Sequence, residues 1–227
     1  LLEANGIATP RTLLASDAGL TSTLPKELLD GIVVKGRFGS GSRGLGIVRL
    51  DQLESAVLHA SYDVTHGSGE HAADALEAKQ LTVVQQQITG QEYGLDVLAD
   101  PSGEFVGVLA RRKIAMRGGE TDKAVTVVPE PFIDLGRKLT RAVGHRGLID
   151  VDVICDGDSK PWVIDINPRF GGGYPFSHLA GAHIPKAYVA WASGHEPELS
   201  WLTSMEGVIS AKYVDTAIVG WPHADPR

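Results

Sequence analysis

Asp165-Ile166-Asn167-Pro168-Arg169-Phe170-Gly171-Gly172-Gly173 is the stretch that decides how this chain is read. It closes an apolar run, Pro161–Asn167, that has the character of a strand. Alternate strand residues share a face, so Asp165 and Asn167 point the same way. Leu148–Cys155 reads as the partner strand of a hairpin across Asp156-Gly157-Asp158-Ser159, and it carries Asp152. Three oxygen donors on adjacent strands suit Mg²⁺, a hard ion that takes a few protein oxygens and completes its shell with nucleotide phosphates. Arg169, two residues past Asn167, is placed to stabilise charge on a transferring phosphoryl group. The competing reading makes Asp152 and Asp165 solvated strand residues, which sits less comfortably with two acids and an amide in an apolar hairpin.

A second constellation lies far upstream: Lys35-Gly36-Arg37-Phe38-Gly39-Ser40-Gly41-Ser42-Arg43-Gly44-Leu45-Gly46. Glycines let the backbone approach phosphate oxygens and turn its N–H groups toward them. A lysine at the end of the preceding strand, Gly31 to Lys35, can reach phosphate as a point charge. The loop ends in no Gly-Lys-Ser/Thr and leads into a strand, so it is neither the Walker loop nor the dinucleotide fingerprint. A flexible hairpin tip is the competing reading. Between these segments runs Gln85-Gln86-Gln87-Ile88-Thr89-Gly90-Gln91-Glu92-Tyr93. A strand running into a turn exposes backbone groups that can read an adenine edge, and a carboxylate such as Glu92 can accept ribose hydroxyls. By itself this is an ordinary polar strand end.

The remaining chain fills in around these segments. Leu1–Asn5 is helix-like. Ile47 to Arg49 returns from the Gly-rich loop, and a helix begins at Asp51 as N-cap with Glu54 three residues later. Thr65 to Gly69 reads as a polar loop. Leu81–Ile88, Tyr93–Ala99 and Phe105–Arg111 read as strands, the last two joined by a turn at Asp100-Pro101-Ser102-Gly103. Pro131 opens a helix that ends near Gly144, and Ser177–Ser193 is helical in part, broken by Pro185. Trp162 and Trp191 are expected in the core. Hairpins mixed with helices indicate an α+β chain rather than repeated βαβ units. The divisions expected are a connecting segment over 1–30, a small lobe over 31–86 and a large lobe over 87–227.

The 227 residues are 43% apolar and 22% charged, enough for a buried core. A net charge of −7 gives no overall basic footprint for nucleic acid. No apolar run approaches the roughly 20 residues needed to cross a bilayer, and no signal peptide opens the chain, so a cytoplasmic location is expected. The one cysteine, Cys155, excludes an internal disulfide and reads as a small buried thiol. No Ser/His/Asp or Cys/His set is evident.

Together and in this order, the segments resemble the ATP-grasp fold, two α+β lobes gripping ATP. They are especially similar to standalone ligases that resemble the large subunit of carbamoyl-phosphate synthase. The likeness rests most on Val34-Lys35 with the loop Gly39–Gly44, and on Asp165 to Gly173, about 130 residues apart. It implies that Lys35 contacts the nucleotide phosphates and that Gly39, Ser40, Gly41, Ser42 and Arg43 form a mobile flap over them. It implies that Gln85 stands near the adenine amino group, that Gln87 and Ile88 supply backbone contacts, and that Glu92 binds ribose. Asp152, Asp165 and Asn167 match the Mg²⁺ ligands (Mn²⁺ being an alternative ion), and Arg169 matches the arginine that steadies an acyl phosphate. Arg112, Lys113, Arg117 and Lys123 lie where related ligases place cations facing phosphate or substrate. Gln85 and Asp165 depart from the family's commoner glutamates.

The resemblance further implies an N-terminal lobe of roughly a hundred residues, which is expected to lie outside this sequence. The reaction implied is ligation of a small-molecule carboxylate to an amine or ammonia, at the expense of ATP, through an acyl phosphate. Alternatives are a carbamoyl-phosphate-type enzyme using bicarbonate, a kinase that stops at the phosphorylated product, and a non-catalytic nucleotide-binding regulatory module. Relatives of this kind imply a homodimer. His178 and His183, after the Gly-rich turn, face either a substrate pocket or the structural interior.

Overall fold

Two antiparallel sheets, joined by the short connector after Gln86, organise the chain. The computed structural model describes residues 1–17, 26–28, 31–37, 45–68 and 75–216. The smaller sheet has the order β1-β4-β2-β3, from strands β1 (Thr12–Leu14), β2 (Ile32–Gly36), β3 (Gly46–Val48) and β4 (Thr82–Gln86). Helices α1 (Leu53–Ser68) and α2 (Ala75–Gln80) lie between β3 and β4 in sequence. Alternation decides which side each residue takes. Ile32, Val34 and Val84 point into a core with Leu53, Val57 and Ala60 of α1, which leaves Val33, Lys35 and Gln85 on the opposite face.

The larger sheet has the order β10-β7-β6-β5-β8-β9. Its strands are β5 (Gln91–Ala99), β6 (Phe105–Arg117), β7 (Glu120–Val127), β8 (Gly147–Cys155), β9 (Pro161–Asn167) and β10 (Ile209–Ala211). Helix α3 (Ile133–Val143) ends at Gly144, whose positive φ of 66° forms the left-handed cap. Leu135 and Leu139 of α3 meet Leu95, Val97, Val108, Ala110, Ile149 and Val151 on one face of the sheet. Helices α4 (Tyr174–Leu179) and α5 (Ile184–Ala192) cover one end of the other face, where Leu98, Leu109 and Leu148 pack with Tyr174, Ala182 and Ile184. The rest of that second face is polar.

Several elements differ from the sequence reading. The expected connecting segment 1–30 serves both sheets: Thr12–Leu14 pairs with β4, while Ile7 is buried in the α3-side core and the Ala8 carbonyl accepts from the Val163 N–H at 2.9 Å. The helical run after β3 starts at Leu50, before Asp51, because the Gln52 side chain accepts from the Arg49 N–H at 3.3 Å. Residues 65–68, read as loop, continue α1. Pro185 sits in the first turn of α5 and starts that helix rather than breaking one, since the missing N–H of a first-turn proline is no loss. Trp162 and Trp191 are half-buried rather than core; Trp162 donates to Asp156 at 2.8 Å at a hairpin turn and Trp191 packs on Tyr188. Cys155 is half-buried, and burial raises its thiol pKa above the ordinary value, with Asp156 adding to the effect.

Candidate functional site

The polar face of the large sheet is built by period two on four neighbouring strands. Glu92 and Asp96 come from β5, Arg111 and Lys113 from β6, Asp150 and Asp152 from β8, and Asp165 and Asn167 from β9. Register then sets the neighbours. Asp96 lies opposite Asp150, Asp152 opposite Asp165, and Asp150 opposite Asn167. Gly94 lies opposite both Arg111 and Asp152, and a Cβ there would come within 2.8 Å of the Arg111 Nε. Its missing side chain is the space that the guanidinium occupies.

At the open end of this face, Lys113 is buried with its ammonium 2.5 Å from Glu92 Oε1 and 2.8 Å from Asp152 Oδ1. Burial opposes the charge, but the Asp152 and Glu92 carboxylates outweigh it together and hold the Lys113 pKa above the ordinary lysine value. Beside this pair, Asn167 donates to Asp165 Oδ2 at 3.0 Å. Arg169 donates to Asn167 Oδ1 at 3.3 Å and to the Phe170 carbonyl at 3.1 Å. Asp165 and Arg169 are exposed and Asn167 is half-buried.

Lys35 reaches the site from the small lobe. β9 carries one extra residue against β8 between the Asp152–Asp165 and Val153–Val163 pairs, a bulge at Ile164. The Ile164 carbonyl lies 3.5 Å from Lys35 Nζ. Lys35 therefore stands next to Asp165 in space while 130 residues away in the chain. Gln85, buried on the same face of the small sheet as Lys35, donates to Thr12 Oγ1 at 2.8 Å. Gln87 and Ile88 form part of the connector between the sheets, where the Gln87 N–H donates to the Gly31 carbonyl at 3.0 Å. Gly39, Ser40, Gly41, Ser42 and Arg43 lie outside the described residues.

The four cations grouped by sequence separate in space. Lys113 alone joins the carboxylates of the site. Arg112 is on the other face of β6, one residue out of phase. Arg117 pairs with Asp122 at 2.6 Å near the β6–β7 turn, and Lys123 is an exposed residue of β7 that faces Ala211 of β10. His178 and His183 stack edge to face with centroids 4.9 Å apart, and His178 Nδ1 lies 3.0 Å from the Ala182 carbonyl. Among the described residues no three His, Cys, Asp or Glu side chains gather into a metal cage. The donors present are two carboxylates and an amide.

Sequence reasoning missed two further features. Arg111, with 1% of its surface exposed, forks between Asp96 at 2.7 Å and Asp150 at 2.8 Å, and Ser177 donates to Asp96 at 2.9 Å. Burial raises the Asp150 pKa to about 6 against the pull of Arg111. An Arg and two Asp at period two in otherwise apolar strands were the available signal. The other is the Glu120–Lys212 pair at 2.7 Å, which flanks Gly172; Lys212, with help from Arg169, holds the Glu120 carboxyl below the usual range.

Residues 78–216 match the family described as ATP-grasp in the biosynthetic pathway with Ter operon. The propionyl-CoA carboxylase alpha chain of Ruegeria pomeroyi is 22% identical over 230 residues, which is 96% of this chain and 31% of the carboxylase chain. The biotin carboxylase–β,γ-ATP complex of Campylobacter jejuni superposes with a TM-score of 0.71 at 18% identity, over 89% of this chain and 46% of that one. The L-amino acid ligase of Bacillus licheniformis superposes with a TM-score of 0.55 at 20% identity, over 83% and 44%. The chain thus spans less than half the length of each of these relatives.

Proposed function

This chain belongs to the ATP-grasp family of the biosynthetic pathway with Ter operon, and we propose that it is the nucleotide-binding body of an ATP- and Mg²⁺-dependent ligase joining a small-molecule carboxylate to an amine or ammonia through an acyl phosphate. One observation carries the reading. Asp152, Asp165, Asn167 and Arg169 gather at the open end of one sheet, and Lys35 of the other lobe reaches the bulge at Ile164 beside them.

Lys35 and Arg169 are the cations for the phosphates and for the charge that grows during phosphoryl transfer. Gln85, Gln87 and Ile88, at the connector, take the adenine side, and Glu92 the ribose. Gly39 to Arg43 complete the phosphate cover. The donor chemistry fits Mg²⁺, with Mn²⁺ as a substitute: Asp152, Asp165 and Asn167 offer hard oxygens short of a full cage, as suits an ion that shares its shell with phosphates and water. Bound there, the ion would neutralise phosphate charge. No side-chain nucleophile is required, because the work is positioning and electrostatics. A cytoplasmic homodimer is part of the same proposal. A bicarbonate-using reaction stands second, supported by the likeness to a carboxylase chain; ADP release with bicarbonate and no amine would favour it.

The test is calorimetry with AMPPNP, with and without Mg²⁺, on the protein and on Asp165→Ala. Binding that strengthens with Mg²⁺, and loses that gain in a variant with unchanged far-ultraviolet dichroism, supports the site; phosphate release is then screened over carboxylates and amines. An undiminished Mg²⁺ gain in Asp165→Ala overturns the metal assignment.

A further inference from the structure

We infer that the buried Asp96–Arg111–Asp150 cluster is a positioning device for the loop after β9 that carries Arg169, and for the strand end at Asn167 from which it leaves. Each member of the cluster meets one residue of the segment that follows β9. A Cβ on Gly171 would lie 2.1 Å from the Asp150 Cγ, and a Cβ on Gly173 would lie 2.3 Å from the Arg111 Nε. Ser177, one helical turn further on, donates to Asp96 at 2.9 Å. Both glycines are buried, so the backbone itself rests on the charged groups. The loop has its own turn bonds, from the Arg169 N–H to the Asn167 carbonyl at 2.8 Å and from the Tyr174 N–H to the Gly171 carbonyl at 3.1 Å. Apolar contacts hold its far end, where Tyr174 packs with Leu98, Leu109 and Leu148, and the cluster is what meets Gly171 and Gly173 in between.

The cluster is a poor device for stability alone. Removing three charges from water costs free energy that well-packed apolar residues would not incur. The Asp96 Oδ1 and the Arg111 Nε have no partner among the described residues, so compensation is incomplete. A rigid fork fixes geometry in a way that apolar contact does not, because the planar guanidinium meets two carboxylates in set directions. Asp150 lies opposite Asn167, so the same fork sets the strand end from which Arg169 projects. Arg111 acts through the loop and touches no reacting atom.

This inference rests on the proposed nucleotide site, and its test separates the two. AMPPNP with Mg²⁺ and ADP without metal are titrated against the full protein, Arg111→Lys and Gly173→Ala, with thermal melts to establish folding. Gly173→Ala keeps every charged group of the cluster chemically intact and forces the guanidinium and the loop apart. Both variants are expected to bind ADP as the unaltered protein does and to lose Mg²⁺·AMPPNP affinity on the order of tenfold to a hundredfold, the scale for one lost hydrogen bond to a charged group. An unaltered protein that binds neither nucleotide removes the proposed site. A folded Gly173→Ala with both affinities unchanged overturns the positioning role, as does an equal loss for both nucleotides.

Discussion

Replacing Lys113 by Met tests how the open end of the site is held. The ammonium makes two charge-assisted hydrogen bonds, at 2.5 Å to Glu92 and 2.8 Å to Asp152. Bonds of this type are each worth about 1.5–3 kcal/mol. Two effects offset their loss: the carboxylates, 32% and 27% exposed, regain water, and no ammonium has to be desolvated. A net destabilisation of about 2–3 kcal/mol follows, or about 4–12 °C in Tm for a chain of this size. The pH dependence has a fixed sign. The Lys113 pKa is raised on folding, so its contribution is complete below the ordinary lysine value of 10.5 and is lost only as pH climbs through the raised one. The gap between protein and variant should therefore stay flat from about pH 7 to pH 9. Metal should narrow it, because Mg²⁺ replaces the missing charge beside Asp152 and raises the variant's Tm more than the parent's. Thermal melts at three pH values, with and without Mg²⁺, read all of this. A metal-free Tm within about 1 °C of the parent would refute the reasoning.

Two further outcomes concern stability alone. Gly90→Ala should cost at least about 2 kcal/mol in urea denaturation, because its Cβ would fall 1.9 Å from the backbone carbonyl oxygen of Cys155, whereas Gly107→Ala, with open space around it, should cost about 1 kcal/mol or less. His145 is buried, and burial lowers its pKa below 6.5 against a backbone hydrogen bond at Val97 that acts to raise it. Its contribution is present above pH 6.5 and lost as pH falls, while Asp150, raised to about 6, works in the opposite sense; His145→Phe should therefore remove a loss of stability on acidification, and an unchanged slope between parent and variant would contradict it.

What was legible in the sequence was whatever depended on local pattern. The Asp165–Asn167 alternation, the hairpin to Asp152 and the helix from Pro131 to Gly144 all follow from spacing a few residues long. The extent of β6 was not legible. Its sequence pattern ends at Arg111, yet the strand runs on to Arg117, with Arg111 and Lys113 buried because acids on β5 and β8 accept them. Those partners lie 15 to 39 residues away for the Arg111 pairs, beyond any window of periodicity. β7 was missed for the same reason, since its pairing is defined by the extension of β6. Strand β1 was too short to show a period, and only its register against β4 defines it.

The two cationic positions of β6 divide the polar face by chemistry. Arg111 and Lys113 are two residues apart, both buried, and each bridges an acid of β5 to an acid of β8. Arginine stands where α4 and the Gly171–Gly173 turn seal the face, and where the bond directions must be permanent. Lysine stands at the open end, where its partners are residues assigned to ribose and metal, and where a compact, readily rehydrated charge on a flexible stem can exchange with an incoming ion. The difference between the forks follows from what covers them. Asp96 is wholly buried and Asp150 nearly so, while Glu92 and Asp152 keep about a third of their surface in water. Under the proposed function, a fixed fork anchors the loop bearing Arg169, and a releasable one would occupy the Glu92 and Asp152 carboxylates until ligand arrives. On this account Lys113 competes with Mg²⁺ for Asp152, whereas Arg111 and the ion act together, since the fork that holds Asp150 also sets the strand end carrying Asn167.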